Sequence, residues 1–405
     1  MKSNPSLLSA TNAKLSEGPS IGQAGIGGPP PTDKLIGVDW QDHREPSSIV
    51  ECQDFECLCN ELQGIYRGAN DCMLSNGQFL RKAIRKEYRT LTDDERTRFH
   101  NAINRLKMSK VYDHFHALHY HYSYNSGIHM GPVFAPWHRE FIKRYEIALR
   151  EIDPTIALPY WDTTMDQILP DPKDSIMWTA DFMGSVDNNG YLNSGPFASW
   201  ITLEVANKFV HTDSEIEEKK VPIKKLGNNR IRRNLGVPDG NRLIADLNIT
   251  RILTNNNIYL IFGDEQFKIL NGSCSSLNWL EGYDDTFWLD MTLESIHALV
   301  HQYVGGMDDN HELGDMAEFQ TAVGDPVFFL LHGFIDFIFE MWRQTHQYTD
   351  QLYEYEPRPR CDVKNCGSKY LFCDNSKNQK HCGVKIKIVM TAEMNALNGL
   401  AKEVV

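Results

Sequence analysis

The 405-residue sequence contains no run approaching the roughly 20 apolar residues that cross a bilayer, so no membrane partner is expected. It has no dense block of Lys and Arg, and its formal net charge is -13 at pH 7. Nucleic-acid phosphates and anionic lipid therefore drop out as principal partners, since both repel a net anion. Met1 to Ala10 lack the positive and then apolar profile of a secretory leader, so no leader is visible in the sequence. Cysteine is nearly absent from the middle of the chain, where Cys274 stands alone between Cys72 and Cys361. No stretch of sequence repeats, which argues against an array of like domains.

What is present begins with bulk. Hydrophobic residues make up 41% and aromatics 11% of the chain, enough for one large core with a small satellite. The cysteines flank that bulk in two groups of four: Cys52, Cys57, Cys59 and Cys72, then Cys361, Cys366, Cys373 and Cys382. Neither group has the paired CxxC spacing of a zinc site. Each can close on itself, so disulfides are expected within 52 to 72 and within 361 to 382, leaving Cys274 as the odd thiol. The sequons at Asn248 and Asn271 agree with a secreted, extracellular glycoprotein.

Residues 1–45, rich in Gly, Pro and Ser, are expected to form a flexible tail, followed by a main domain over 46–350 and a Cys-rich module over 351–405. Phe79, Leu80, Ile84, Tyr88 and Leu91 recur at helical spacing, and Thr92-Asp93-Asp94-Glu95 opens a second helix as a capping box. Further helices are expected from Val111 to His121, from near Trp137 to Asp153-Pro154, from Leu293 to Val304, and from Val327 to about Arg343. Residues 165 to 285 read as loops with a few short strands, including the apolar run Ile258 to Phe262. The alternation Val384-Lys385-Ile386-Lys387-Ile388 reads as a strand. The fold class is mainly α: a four-helix bundle core with long loops, a few short strands and a small disulfide-rich C-terminal module.

Histidine carries the chemistry. Fifteen histidines spread at random over 405 positions give about half an HxxxH pair, so a lone pair says little. His297-Ala298-Leu299-Val300-His301, however, sits in a helical segment where both imidazoles share one face and can grip one metal. Between 114 and 138 lie His114, His116, His119, His121, His129 and His138, several beside large apolar groups such as Trp137. Burying a charged imidazolium there would be costly, whereas a metal takes the neutral ring. His332 lies in Asp325-Pro326-Val327-Phe328-Phe329-Leu330-Leu331-His332, a helix apolar nearly all round.

These residues resemble the tyrosinases and molluscan-type haemocyanins, which share a dinuclear type 3 copper site. The resemblance rests on His129, His138 within Trp137-His138-Arg139-Glu140-Phe141, a further histidine in Tyr112-Asp113-His114-Phe115-His116-Ala117-Leu118-His119, the pair His297 and His301, Asp325-Pro326-Val327-Phe328, and His332 followed by Asp336. Leu158-Pro159-Tyr160-Trp161-Asp162 is similar to the segment joining the two half-sites. The flanking cysteines resemble those of secreted molluscan shell and byssus tyrosinase-like proteins.

The resemblance implies two copper ions, CuA on His119, His129 and His138 and CuB on His297, His301 and His332, with O2 as co-substrate. His119 is taken because it shares the apolar helix side of Phe115 and Leu118, which His114 and His121 do not; His116 is left as a group standing behind the ligands. The implied activity is oxidation of catechols to o-quinones. The implied partners are small phenols or the Tyr and dopa side chains of matrix proteins, and Ala298, Gln302 and Leu331 are expected to line the substrate pocket. Ala298 replaces the asparagine of enzymes that hydroxylate monophenols, so that step is expected to be weak. An Asn at 298 would need a helper carboxylate such as Glu294 to hold a water. Gly127 excludes the cysteine thioether of the fungal proteins. Two other readings remain open: a silent or zinc-loaded structural protein, motivated by Ala298 and Leu331, and an oxygen carrier.

Overall fold

The computed structural model describes residues 48–254 apart from 69–70, 124–127, 130, 132, 204, 212–215, 223–228 and 239–240, together with 261, 292–345, 352–376 and 380–386. The expected tail, Gly127, Cys274, the sequon at Asn271, and Lys387 and Ile388 lie outside the described residues, as does the run from Ile258 to Phe262 save Ile261. The chain forms two compact units, Met1–Leu80 and Arg81–Val405.

In the first unit, Asp54 caps α1 (Phe55–Glu61) by accepting from the Cys57 amide at 2.8 Å. Strands β1 (Ile65–Gly68), β2 (Asp71–Met73) and β3 (Phe79–Leu80) pair antiparallel. So small a unit cannot bury much apolar surface, and the disulfides Cys52–Cys57 and Cys59–Cys72 staple it.

The second unit begins with a departure from expectation. The segment around Ile84 is not a helix: β4 (Ala83–Arg85) runs parallel to β7 (Tyr353–Tyr355), and a 3-10 turn follows at Tyr88–Thr90. Ala83 and Arg85 are buried while Ile84 is exposed, a period of two hidden from sequence reading because one inward residue is an arginine. Arg85 is fully buried, donating to Glu146 Oε2 at 2.8 Å and Asp336 Oδ2 at 3.0 Å, and its guanidinium lies over the Tyr353 ring. The strand is fixed by partners far along the chain, and no local pattern announces them.

The remaining helices follow their signals. The expected capping box starts α2 (Asp93–Met108), which buries Phe99, Ile103 and Leu106. α3 (Val111–Ser123) and α4 (Phe134–Ile152) follow, with Asp153 capping the latter ahead of Pro154. A short α5 (Thr164–Gln167) is succeeded by a hairpin of β5 (Val205–His211) and β6 (Ile216–Pro222). α7 (Leu293–Gly305) ends at Gly306, whose φ of 56° is a conformation that side chains resist. α8 (Val327–Thr345) is buried on nearly every face. α3, α4, α7 and α8 pack around one aromatic core in which Phe329 stacks on Tyr145 and Phe141. Gly333 lets α8 approach the 158–162 segment: a Cβ there would meet Pro159 O at 3.0 Å, and the Trp161 amide donates to Leu330 O. No described helix is long and apolar enough to cross a membrane.

Within the loop region, α6 (Asp246–Thr254) was not expected. It removes one sequon, because Asn248 is 4% exposed and its side chain accepts from the Ala245 amide at 2.8 Å. An acceptor so enclosed cannot carry a glycan, and the sequon at Asn248 gives no support for secretion. The C-terminal strand lies earlier than expected: β9 (His381–Val384) pairs with β8 (Leu371–Asp374), and Ile386 beyond it is 54% exposed. Disulfides Cys361–Cys373 and Cys366–Cys382 join this hairpin to its preceding turn. The hairpin sits on the bundle through Ser368, which donates to Arg89 O, and Arg358, which pairs with buried Asp162.

Candidate metal centre

Each expected histidine arrives at the site from a different kind of backbone. His119 sits on α3 and His138 on α4, both buried, while His129 is half-buried in the loop between them. His297 and His301 lie one turn apart on α7, and His332 is on α8. Their ring nitrogens form two groups of three, each group lying within 4.8 Å. The groups face one another: the His138 and His332 rings stack with centroids 4.6 Å apart. Of the residues that competed with His119, His114 is exposed and His121 half-buried, whereas His116 is buried but outside both groups.

Hydrogen bonds turn the rings inward. His138 Nδ1 donates to Phe134 O at 2.9 Å, His301 Nδ1 to Met316 O at 2.7 Å, and His297 Nδ1 to Glu294 O at 3.3 Å. A carbonyl only accepts, so the proton sits on Nδ1 and the Nε2 lone pair faces the site. Aromatic rings wedge the same imidazoles: Phe328 stacks on His332 at 4.0 Å and meets His119 edge-on at 5.0 Å.

Burial, reinforced in most cases by the neighbouring imidazoles, holds His119, His138, His297 and His332 well below the ordinary histidine value. It lowers His129 to about 3 and His301 to about 4. Neutral rings are metal-ready rings. Both nitrogens of His119, Nδ1 of His129, Nε2 of His138 and Nδ1 of His332 are buried without a hydrogen-bond partner among the described residues. In the second group the Nε2 atoms of His297 and His301 lie 3.1 and 3.5 Å from His332 Nε2. Imidazole nitrogens facing one another in this way, with orphaned ones in the first group, are what bound ions would satisfy, and three imidazoles per ion suit copper with positions left open.

The residues expected to line a substrate pocket divide. Ala298 and Gln302 are half-buried on α7, but Leu331 is 0% exposed and belongs to the core. Being next to His332 in sequence, Leu331 leaves α8 about 100° around the helix from it. One oxygen of the Glu294 carboxylate accepts from the Gly131 amide at 3.3 Å in the loop that carries His129. Sequence reading overlooked Phe319, which is 44% exposed and places its ring 4.6 Å from His129. The signal was a lone aromatic in the polar run between the second and third histidines of the second group.

Comparison with known proteins agrees with this geometry. Residues 109–345 match the common central domain of tyrosinase. The tyrosinase-like protein tyr-3 of Caenorhabditis elegans is 35% identical over 384 residues, covering 84% of this chain and 48% of that protein, so the chain spans about half its length. Grixazone synthase of Streptomyces griseus is 29% identical, covering 65% of this chain and 85% of the enzyme. Tyrosinase-like protein 1 of the mollusc Margaritifera margaritifera is 26% identical over 72% of this chain and 58% of its own length. The match to the central domain takes in all six grouped histidines, and the chain belongs to the tyrosinase family.

Proposed function

We propose that this protein oxidises catechols to o-quinones with O2, using two copper ions, one held by His119, His129 and His138 and the other by His297, His301 and His332. The observation that carries the reading is the apposition of the two groups, with His138 stacked on His332. Bound copper would supply the electron acceptance and oxygen activation that no side chain offers. The chain's own part is to hold six neutral imidazoles in a dry aromatic cage of Phe134, Phe141 and Phe328 and to leave the His129 side open to solvent. Hydroxylation of monophenols is weak in this reading. Ala298 can neither accept a phenol proton nor orient a water.

The four disulfides support an oxidising, extracellular setting, where free phenols or the Tyr and dopa side chains of matrix proteins are the candidate substrates. A zinc-loaded structural protein is the second reading, motivated by Ala298 and Leu331. An oxygen electrode tests the proposal: copper-loaded protein should consume O2 with dopa, and protein carrying two copper ions that consumes none with any catechol refutes it.

A further inference from the structure

The segment 315–324 crosses from one histidine group to the other. At its start Met316 O accepts from His301, in its middle Phe319 lies against the His129 ring, and near its end Val323 O accepts from the Tyr112 hydroxyl at 2.7 Å. Beyond it, Asp325 is locked to Arg233 by two bonds of 2.6 and 2.8 Å in a pair that is fully buried. The tether next to Phe319 is His116, whose Nε2 donates to Gln320 O at 2.8 Å. His116 is 0% exposed, and a Cβ on Gly324 would come within 3.1 Å of its Cε1, so the ring fills a slot that only glycine leaves free.

An exposed phenylalanine beside a half-buried metal-group histidine costs apolar hydration unless something meets it. Its position is not set by its own packing alone, because the backbone of the next residue is pinned from α3. Removing the imidazole would take that donor from Gln320 O, breaking a part-buried bond, and loosen the hold of α3 on the segment.

We propose that His116 is a positioning residue for the aromatic substrate: it holds the segment spanning the two histidine groups and so fixes where Phe319 stands over His129. This rests on the phenol-oxidising reading above. His116 acts through Gln320 and Phe319 and touches neither metal nor substrate. Glutamine at 116 carries an amide N–H donor that can reach Gln320 O, while alanine carries none.

The test uses the full copper-loaded chain as wild type, His116→Ala and His116→Gln, with amide hydrogen exchange, copper content and dopa kinetics measured on each. The expected result for His116→Ala is exchange at residues 318–324 faster by about tenfold, two copper ions retained, and KM for dopa raised about tenfold with a smaller change in kcat. His116→Gln should restore both exchange and KM to within about threefold of wild type. Unchanged exchange in His116→Ala overturns the pinning, faster exchange with unchanged KM overturns the positioning role, and loss of copper makes His116 part of the metal site instead. If the wild type turns over no catechol, the phenol-oxidising reading has failed on its own. The dissociation constant of dopa for the same proteins, by calorimetry, then replaces KM: a tenfold weakening in His116→Ala sustains the positioning, and equal affinity overturns it.

Discussion

The two histidine groups hold like ligands by unlike means. In the second, His297 and His301 each donate Nδ1 to a main-chain carbonyl, and all three histidines ride on α7 and α8. In the first, His138 has such a bond and His129, which comes from a loop, has a main-chain bond to Ser123, but neither nitrogen of His119 has a partner among the described residues. There the orientation of His119 comes from packing against Phe141, Phe328 and Trp137. Ligand hydrogen bonds fix both the tautomer and the aim of an imidazole, whereas packing fixes only its place. His332 in the second group is likewise without a partner at Nδ1 among the described residues and is held by stacking on Phe328. The second group is therefore the better prepared only in that all its ligands ride on helices.

The largest effect expected is from deleting a ligand on either side. His138→Ala or His332→Ala should lower copper from two to one per chain and abolish oxygen consumption, whereas His311→Ala, at an exposed turn, should change neither. Metal analysis with an oxygen electrode checks this, and full copper in His332→Ala would remove that histidine from the site. Next in size is selectivity, which belongs to the second group alone. With Ala298 after His297, dopa should be oxidised at least about 100-fold faster than tyrosine. Ala298→Asn should narrow the gap, with Glu294 one turn away to help hold the water. Initial rates without a lag measure it.

How much of this was legible in the sequence follows from the same contrast. The His297 and His301 pair was readable because four residues make one helical turn, and His119 was separable from His114 by the helical side it shares with Phe115, which is buried where His114 is exposed. What could not be read were contacts made across the chain. Arg85 and Asp336 are 251 positions apart, so β4 was mistaken for a helix. His116 and Gln320 are 204 apart, so His116 looked like a group behind a ligand. Asn248 looked like a glycan site because a three-residue motif carries no record of burial.

A more direct test of the contrast compares the one-metal variants. His138→Ala keeps the second group and should hold its remaining copper about tenfold tighter than His332→Ala holds the first, whose His129 is borne on a loop. Equal affinities in a chelator competition would show that the loop holds His129 as well as helices hold the ligands of the second group.

The smallest effect concerns what the groups share. His129 and His301 are depressed to about 3 and about 4 by burial, so the folded, metal-free protein takes up fewer protons than the unfolded chain below the ordinary value of about 6.5. Stability present above about pH 6.5 is lost as pH falls toward 4, and the melting temperature of metal-free protein should drop by at least about 5 °C between pH 7 and pH 5. Melts by circular dichroism check it. A flat profile would mean these rings are open to water when no metal is bound.

The central claim is that the six histidines make one two-metal site and not two separate ones. X-ray absorption at the copper edge of fully loaded protein tests it directly. The account predicts nitrogen-only protein ligands, three per ion, and a copper–copper vector of about 4 Å, the separation at which two ions act on one substrate. Well-ordered copper with no metal neighbour within about 6 Å, or nitrogen ligands missing from either ion, would contradict it.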